Sequence, residues 1–80
     1  MELRQLHYFI AIAEEGSLSA AAQRIGVAQP SLSQLVKTLE SRIGVELVIR
    51  SPHGATLTSA GRLLLDRARQ ITALVDRTQE

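Results

Sequence analysis

The sequence predicts a mainly α fold: three helices and a two-stranded β-hairpin, then one long helix. Three observations carry this. Apolar residues recur at helical spacing in three short segments, which Gly16, Gly26 and Gly44 punctuate. The period then changes, and Leu47-Val48-Ile49-Arg50 and Ala55-Thr56-Leu57-Thr58 flank a Ser51-Pro52-His53-Gly54 turn, the pattern of a hairpin. From Ser59 or Ala60 onward, helical spacing resumes and runs unbroken to the end.

The first helix is expected over residues 3–15. Leu3, Leu6, Ile10 and Ala13 form its apolar stripe and Phe9 widens it. Tyr8 and Phe9 are the only aromatics, so the core must be built from Leu, Ile, Val and Ala. Gly16 ends this helix in a left-handed turn, and the Ser17 hydroxyl caps the next. That second helix, residues 18–25, turns Leu18, Ala21, Ala22 and Ile25 inward, and its small side chains let another helix approach closely.

Gly26 makes the following turn, Ala28 or Gln29 falls at the cap, and Pro30 sits in the first turn, where a missing N–H costs nothing. The third helix has two faces. Leu32, Val36, Leu39 and Ile43, with Leu35 beside them, form a buried stripe. Pro30, Ser33, Gln34, Lys37 and Ser41 recur on the opposite side, which carries short polar groups, one cation and no carboxylate. Gly44 closes it. Thr58 caps the fourth helix, in which Leu64, Ala68, Ile71, Val75 and Thr78 follow a heptad seam, widened by Leu63, Leu65 and Leu74. A domain this small covers only part of that surface, and a second copy is expected to cover the rest.

A helix-turn-helix, about residues 18–37, followed by a hairpin, about 47–58, is a winged helix. The organisation is therefore a winged helix-turn-helix over 1–58 and a linker helix for dimerisation over 59–80. No linker rich in Pro or Ser and no internal repeat interrupts it. The pattern stops inside a helix, so a further domain is expected beyond it.

Composition narrows the function. Eighty residues make one small domain that is marginal alone. The absence of cysteine excludes a disulfide framework and a thiolate metal site. No signal peptide or membrane-length apolar run is visible, so a soluble, cytoplasmic domain with no membrane partner is expected. The net charge is only +1, but it is uneven: −2 over residues 1–23, +3 over 24–62 and 0 over 63–80. The cationic excess lies around the two-faced helix and favours an anionic partner. Serines are present, but His7 and His53 lie on the first helix and a loop tip, which leaves no catalytic triad, no phosphate-cradling glycine loop and no metal-ligand pattern. An enzyme is not expected.

Two functions fit a winged helix: double-stranded DNA binding, or a protein-interaction module with a coiled-coil helix. A protein interface would want aromatic or Met anchors on the outer face of the third helix. Ser, Gln and Lys stand there instead and suit a DNA major groove. Arg50 is expected either to reach phosphate or, preferably, to pair with Glu40 and fix the wing on the third helix. Lys37 is a phosphate contact or a plain surface cation.

The residues also resemble a family. Leu3-Arg4-Gln5-Leu6 with Tyr8-Phe9, Gly16-Ser17, Ala21-Ala22, Ala28-Gln29-Pro30-Ser31-Leu32-Ser33, Leu39-Glu40, Ile43-Gly44, Leu47, Arg50 and Leu57-Thr58-Ser59-Ala60-Gly61 run in the order found in LysR-type transcriptional regulators. The resemblance covers essentially the whole chain. It implies the amino-terminal DNA-binding domain of a bacterial regulator, paired into a homodimer by its linker helices; full-length chains of the family often form tetramers. Such regulators read an interrupted dyad near a promoter. The resemblance also implies an effector domain outside this chain that binds a small-molecule inducer, and no cofactor in this domain.

Gln29, Pro30, Ser31 and Ser33 match the family's DNA-contacting start of the recognition helix. Gln34 stands where many members have arginine, and glutamine prefers adenine where arginine prefers guanine. His53 stands where most place a wing-tip arginine, and Val48 replaces the usual phenylalanine. The candidate DNA-contacting set is Ser17, Gln29, Pro30, Ser31, Ser33, Gln34, Lys37, Arg50 and His53. The candidate dimerisation set is Leu63, Leu64, Ala68, Ile71, Leu74 and Val75.

Overall fold

The computed structural model describes residues 1–79, one short of the predicted end of the last helix at residue 80. Its elements are α1 (Leu3–Glu15), α2 (Leu18–Ile25), α3 (Gln29–Ile43), β1 (Val48–Ser51), β2 (Gly54–Leu57) and α4 (Ser59–Thr78). Gly16, Gly26 and Gly44 all have positive φ, at 67°, 86° and 87°. Their amides donate back to the carbonyls of Ile12, Ala22 and Glu40, which ends each helix in one residue. Ser17 Oγ accepts from the Ala20 amide at 3.2 Å and starts α2.

Phe9, Ile12, Leu32, Leu39 and Leu47 are the large side chains with essentially no exposure, and they form the centre of the core. The buried face of α1 is Leu6, Phe9, Ala11 and Ile12. The predicted stripe was turned from this: Leu3 is exposed, and Ile10 and Ala13 are only half-buried. The reason is that α1 packs on both α2 and α4, so its largest fully buried side chain, Phe9, sets the centre of its face. On α3, Leu32, Val36 and Leu39 are buried as expected, whereas Ile43 is 43% exposed in the last turn.

The strands pair antiparallel, Val48 with Leu57 through to Ser51 with Gly54. β1 runs one residue later and β2 one residue earlier than the sequence pattern predicts, which leaves Leu47 and Thr58, the next pair in register, as the junction to α3 and α4. The Leu47 amide donates to Glu40 Oε2 at 2.7 Å, and its carbonyl accepts from the Thr58 amide at 3.0 Å. Thr58 Oγ1 accepts from the Gly61 amide at 3.0 Å and caps α4. The turn end of the hairpin is held separately: the Ala55 amide donates to the Gly16 carbonyl at 2.8 Å.

Helix α4 carries two apolar stripes. Gly61, Ala68 and Thr72 are buried, and Leu64, Leu65 and Val75 are half-buried beside them. Leu63, Ile71 and Leu74 are 56%, 45% and 58% exposed, on a stripe roughly a third of a turn away at about 100° per residue. The single heptad seam predicted from the sequence is therefore split. Ala68 has no exposed surface and belongs to the core, and Leu64 and Val75 are half-spent on the domain's own packing. Thr72 is the buried member that the heptad pattern omitted.

Glu14 ties three helices at the surface. Its Oε1 lies 2.9 Å from Arg24 Nη1 on α2, and its Oε2 lies 3.1 Å from Arg69 Nη2 on α4. The Arg24 hydrogen bond, then that of Arg69, holds the Glu14 carboxyl below its ordinary value of 4.5. A carboxylate depressed in the folded state stabilises fully above its unfolded value and loses this as pH falls through the folded one. Acidification below about pH 4.5 should therefore erode stability, and Glu14→Gln should flatten that limb of a Tm-versus-pH curve. An unchanged acid limb would take Glu14 out of the account.

A Cβ on Gly61 would run into the Leu47 carbonyl oxygen, part of the backbone. Gly61→Ala gains about 1 kcal/mol of helix propensity. The overpacking cost, about 1–3 kcal/mol, should outweigh it because backbone cannot swing aside. The expected result is a lower Tm, by about 4–8 °C for each net 1 kcal/mol; an equal or higher Tm would show that α4 can lift away from Leu47.

Candidate nucleic-acid interface

The outer face of α3 is short-chained and open. Pro30, Gln34, Lys37 and Ser41 are exposed along its middle, and Gln29 and Ser33 are half-buried along its edge. Gln34 Nε2 donates to Thr38 Oγ1 at 3.5 Å, one turn on. Ser31 is exposed but lies to one side, about 100° round the helix from Pro30. The structure thus gathers Gln29, Pro30, Ser33, Gln34 and Lys37 and leaves Ser31 on the flank.

Glu40 is the carboxylate on α3, and it does not face outward. Its Oε2 accepts from the Leu47 and Val48 amides at 2.7 and 3.3 Å. The expected Arg50–Glu40 pair is accordingly not formed. Two backbone amides at the start of β1 need an acceptor, and the carboxylate reaches them first. Arg50 instead reaches across to α3, where its Nη1 donates to Ser33 Oγ at 3.2 Å. Gln29 Nε2 donates to the same oxygen at 3.4 Å. Neither Arg50 nor Lys37 has a carboxylate partner among the described residues. The face is cationic and unneutralised.

A polar cleft of about 200 Å³ opens where the start of α2, the start of α3 and the turn end of the wing meet. Ser17, Ser19, Gln29, Arg50 and Ser51 line it, with Leu18, Pro52 and Gly54. The first turn of α2 presents its amino end there, with the favourable field of a helix N-terminus for an anion. Ser19 and Ser51 were not among the sequence candidates; only the packing of wing against helix brings them in. His53 is exposed at the tip, where its amide donates to Ser51 Oγ at 3.2 Å. Among the described residues, no cluster of three or more His, Asp or Glu could hold a metal ion, and no helix is long and apolar enough to cross a membrane.

Residues 3–62 match the family model for bacterial regulatory helix-turn-helix proteins of the lysR family. The chain belongs to that family. Among its relatives is the transcriptional regulator TfdT of Cupriavidus pinatubonensis, 49% identical over 98% of this chain and 34% of that protein. The regulator TcbR of a Pseudomonas species is 47% identical over 98% of this chain and 26% of its own length. The chain therefore spans about a third or less of these relatives.

Solved structures agree with the lysR-family assignment. A crystal structure of the CbnR DNA-binding domain with DNA superposes at a TM-score of 0.94 and 47% identity, covering 99% of this chain and 91% of that one. A BenM DNA-binding domain complexed with benA site 1 DNA superposes at 0.91 and 36% identity, covering 98% and 91%. This lysR-family chain is a sequence-specific DNA-binding domain of a transcriptional regulator and not an enzyme. Its mainly helical fold is that of the winged helix-turn-helix.

Proposed function

We propose that this domain lays α3 in the major groove of promoter DNA and sets its wing beside the flanking minor groove. The observation that carries this is the outer face of α3, which has only small polar side chains and one cation, while its carboxylate is turned to the wing. A protein-binding face would offer apolar anchors there. Gln29, Ser33 and Gln34 read base edges; Lys37, Arg50 and the cleft at Ser17 take phosphates; His53 probes the minor groove.

The domain acts as a homodimer through the exposed stripe Leu63, Ile71 and Leu74. Leaving that stripe in water would cost the burial of three large aliphatic side chains. Two copies so joined present two α3 helices about one turn of DNA apart and read an interrupted dyad. Tetramers form in the full regulator, whose effector domain binds the small-molecule inducer, and the protein works in the bacterial cytoplasm.

Fluorescence anisotropy across a salt series, with a duplex selected from random DNA and a scrambled duplex, tests this. Binding should fall steeply with salt, at a slope near −0.9 per phosphate contacted, and favour the selected duplex. Gln29→Ala should lose about 1–3 kcal/mol of that discrimination. Equal affinity for both duplexes would reject base readout. Sedimentation tests the pairing: Leu63→Asp with Leu74→Asp should give monomers, and a dimer persisting at micromolar concentration would place the interface elsewhere.

A further inference from the structure

Ser33 is held from two sides. Its Oγ accepts from Arg50 Nη1 on the wing at 3.2 Å and from Gln29 Nε2 in the first turn of α3 at 3.4 Å. A serine oxygen has two lone pairs and one proton. Both lone pairs are engaged, so the proton is the one function Ser33 has left to offer. Gln29 keeps Oε1 and its second amide hydrogen, the pair needed for a bidentate contact to adenine.

We infer that Arg50 sets the hydrogen-bond polarity of Ser33, making it a donor-only reader that excludes cytosine from the base it faces. This rests on the DNA docking proposed above. In the major groove guanine, adenine and thymine each present an acceptor, whereas cytosine presents only its amino donor. A free serine can serve either kind of edge. With its lone pairs filled, Ser33 meets a cytosine amino group donor to donor, and both protons stay unpaired in a desolvated contact.

The geometry gives Arg50 little else to do in the free protein. Glu40, the carboxylate it would otherwise seek on α3, is occupied by the Leu47 and Val48 amides. Its own strand is fixed, since Arg50 pairs with Ala55, whose amide is bonded to the Gly16 carbonyl. Arg50 is thus a positioning residue that brings the wing into base readout without touching a base. A cation serving only phosphate would add affinity without preference.

The test takes the best duplex from random selection and replaces each base pair in turn, with competition anisotropy at low salt. Wild type, Ser33→Ala and Arg50→Met are compared, the last keeping the side-chain stem but no donor; all are first checked for folding by thermal melting. The position that loses its preference in Ser33→Ala is the one Ser33 reads. There, wild type should bind cytosine at least about ten-fold more weakly than the preferred base. Arg50→Met should reduce this to about two-fold or less and leave other positions' preferences intact. A uniform loss of affinity in Arg50→Met, with cytosine still excluded, would overturn the inference alone. So would the absence of any position responding to Ser33→Ala. A wild-type domain indifferent to every replacement would overturn the DNA readout beneath it.

Discussion

Leu47 is the residue through which the parts of this domain are joined. Its side chain is 1% exposed in the core. Its amide is held by Glu40 of α3, and its carbonyl holds the Thr58 amide at the start of α4. Gly61 lies against that same carbonyl, close enough that no side chain fits between. Recognition helix, wing and long helix thus share one backbone position. Separately anchored, each could shift without the others. Joined at Leu47, α3, the wing and α4 keep a fixed relation.

The core that supports this is small, so the long helix serves two purposes at once. One stripe of α4, through Gly61, Ala68 and Thr72, completes the core against α1. The other, through Leu63 and Leu74, is exposed. Small residues on the first stripe let α4 lie close to its neighbours, and large ones on the second leave apolar surface outside. An 80-residue domain with one buried Phe has little stability to spare. Burial of that outer stripe in a dimer would add to folding as well as to pairing.

Helix boundaries were legible in the sequence because they depend on local chemistry. Gly16, Gly26 and Gly44 end helices and Ser17 and Thr58 start them through contacts within a few residues. What was not legible depended on distant partners. The 3.5-residue pattern of α4 suggested one seam, but which flank α1 would claim is a packing outcome, and it claimed Ala68. Arg50 and Glu40 are opposite charges on adjoining elements, and charge alone paired them. The Leu47 and Val48 amides, invisible in any residue pattern, took the carboxylate first. The polar outer residues of α3 stood out by contrast with its apolar back, yet their link to the wing through Ser33 did not.

The wing is held right beside its turn, and only the turn residues project beyond the anchor. Gly54, at a φ of 132°, faces the Gly16 carbonyl so closely that a Cβ there would collide with it, and Ala55 bonds the same oxygen. Pro52 and His53 lie beyond that anchor, exposed. Change at those two positions has no core to disturb. Replacements at the two tip positions therefore leave the Gly54–Ala55 anchor at the α1–α2 corner intact.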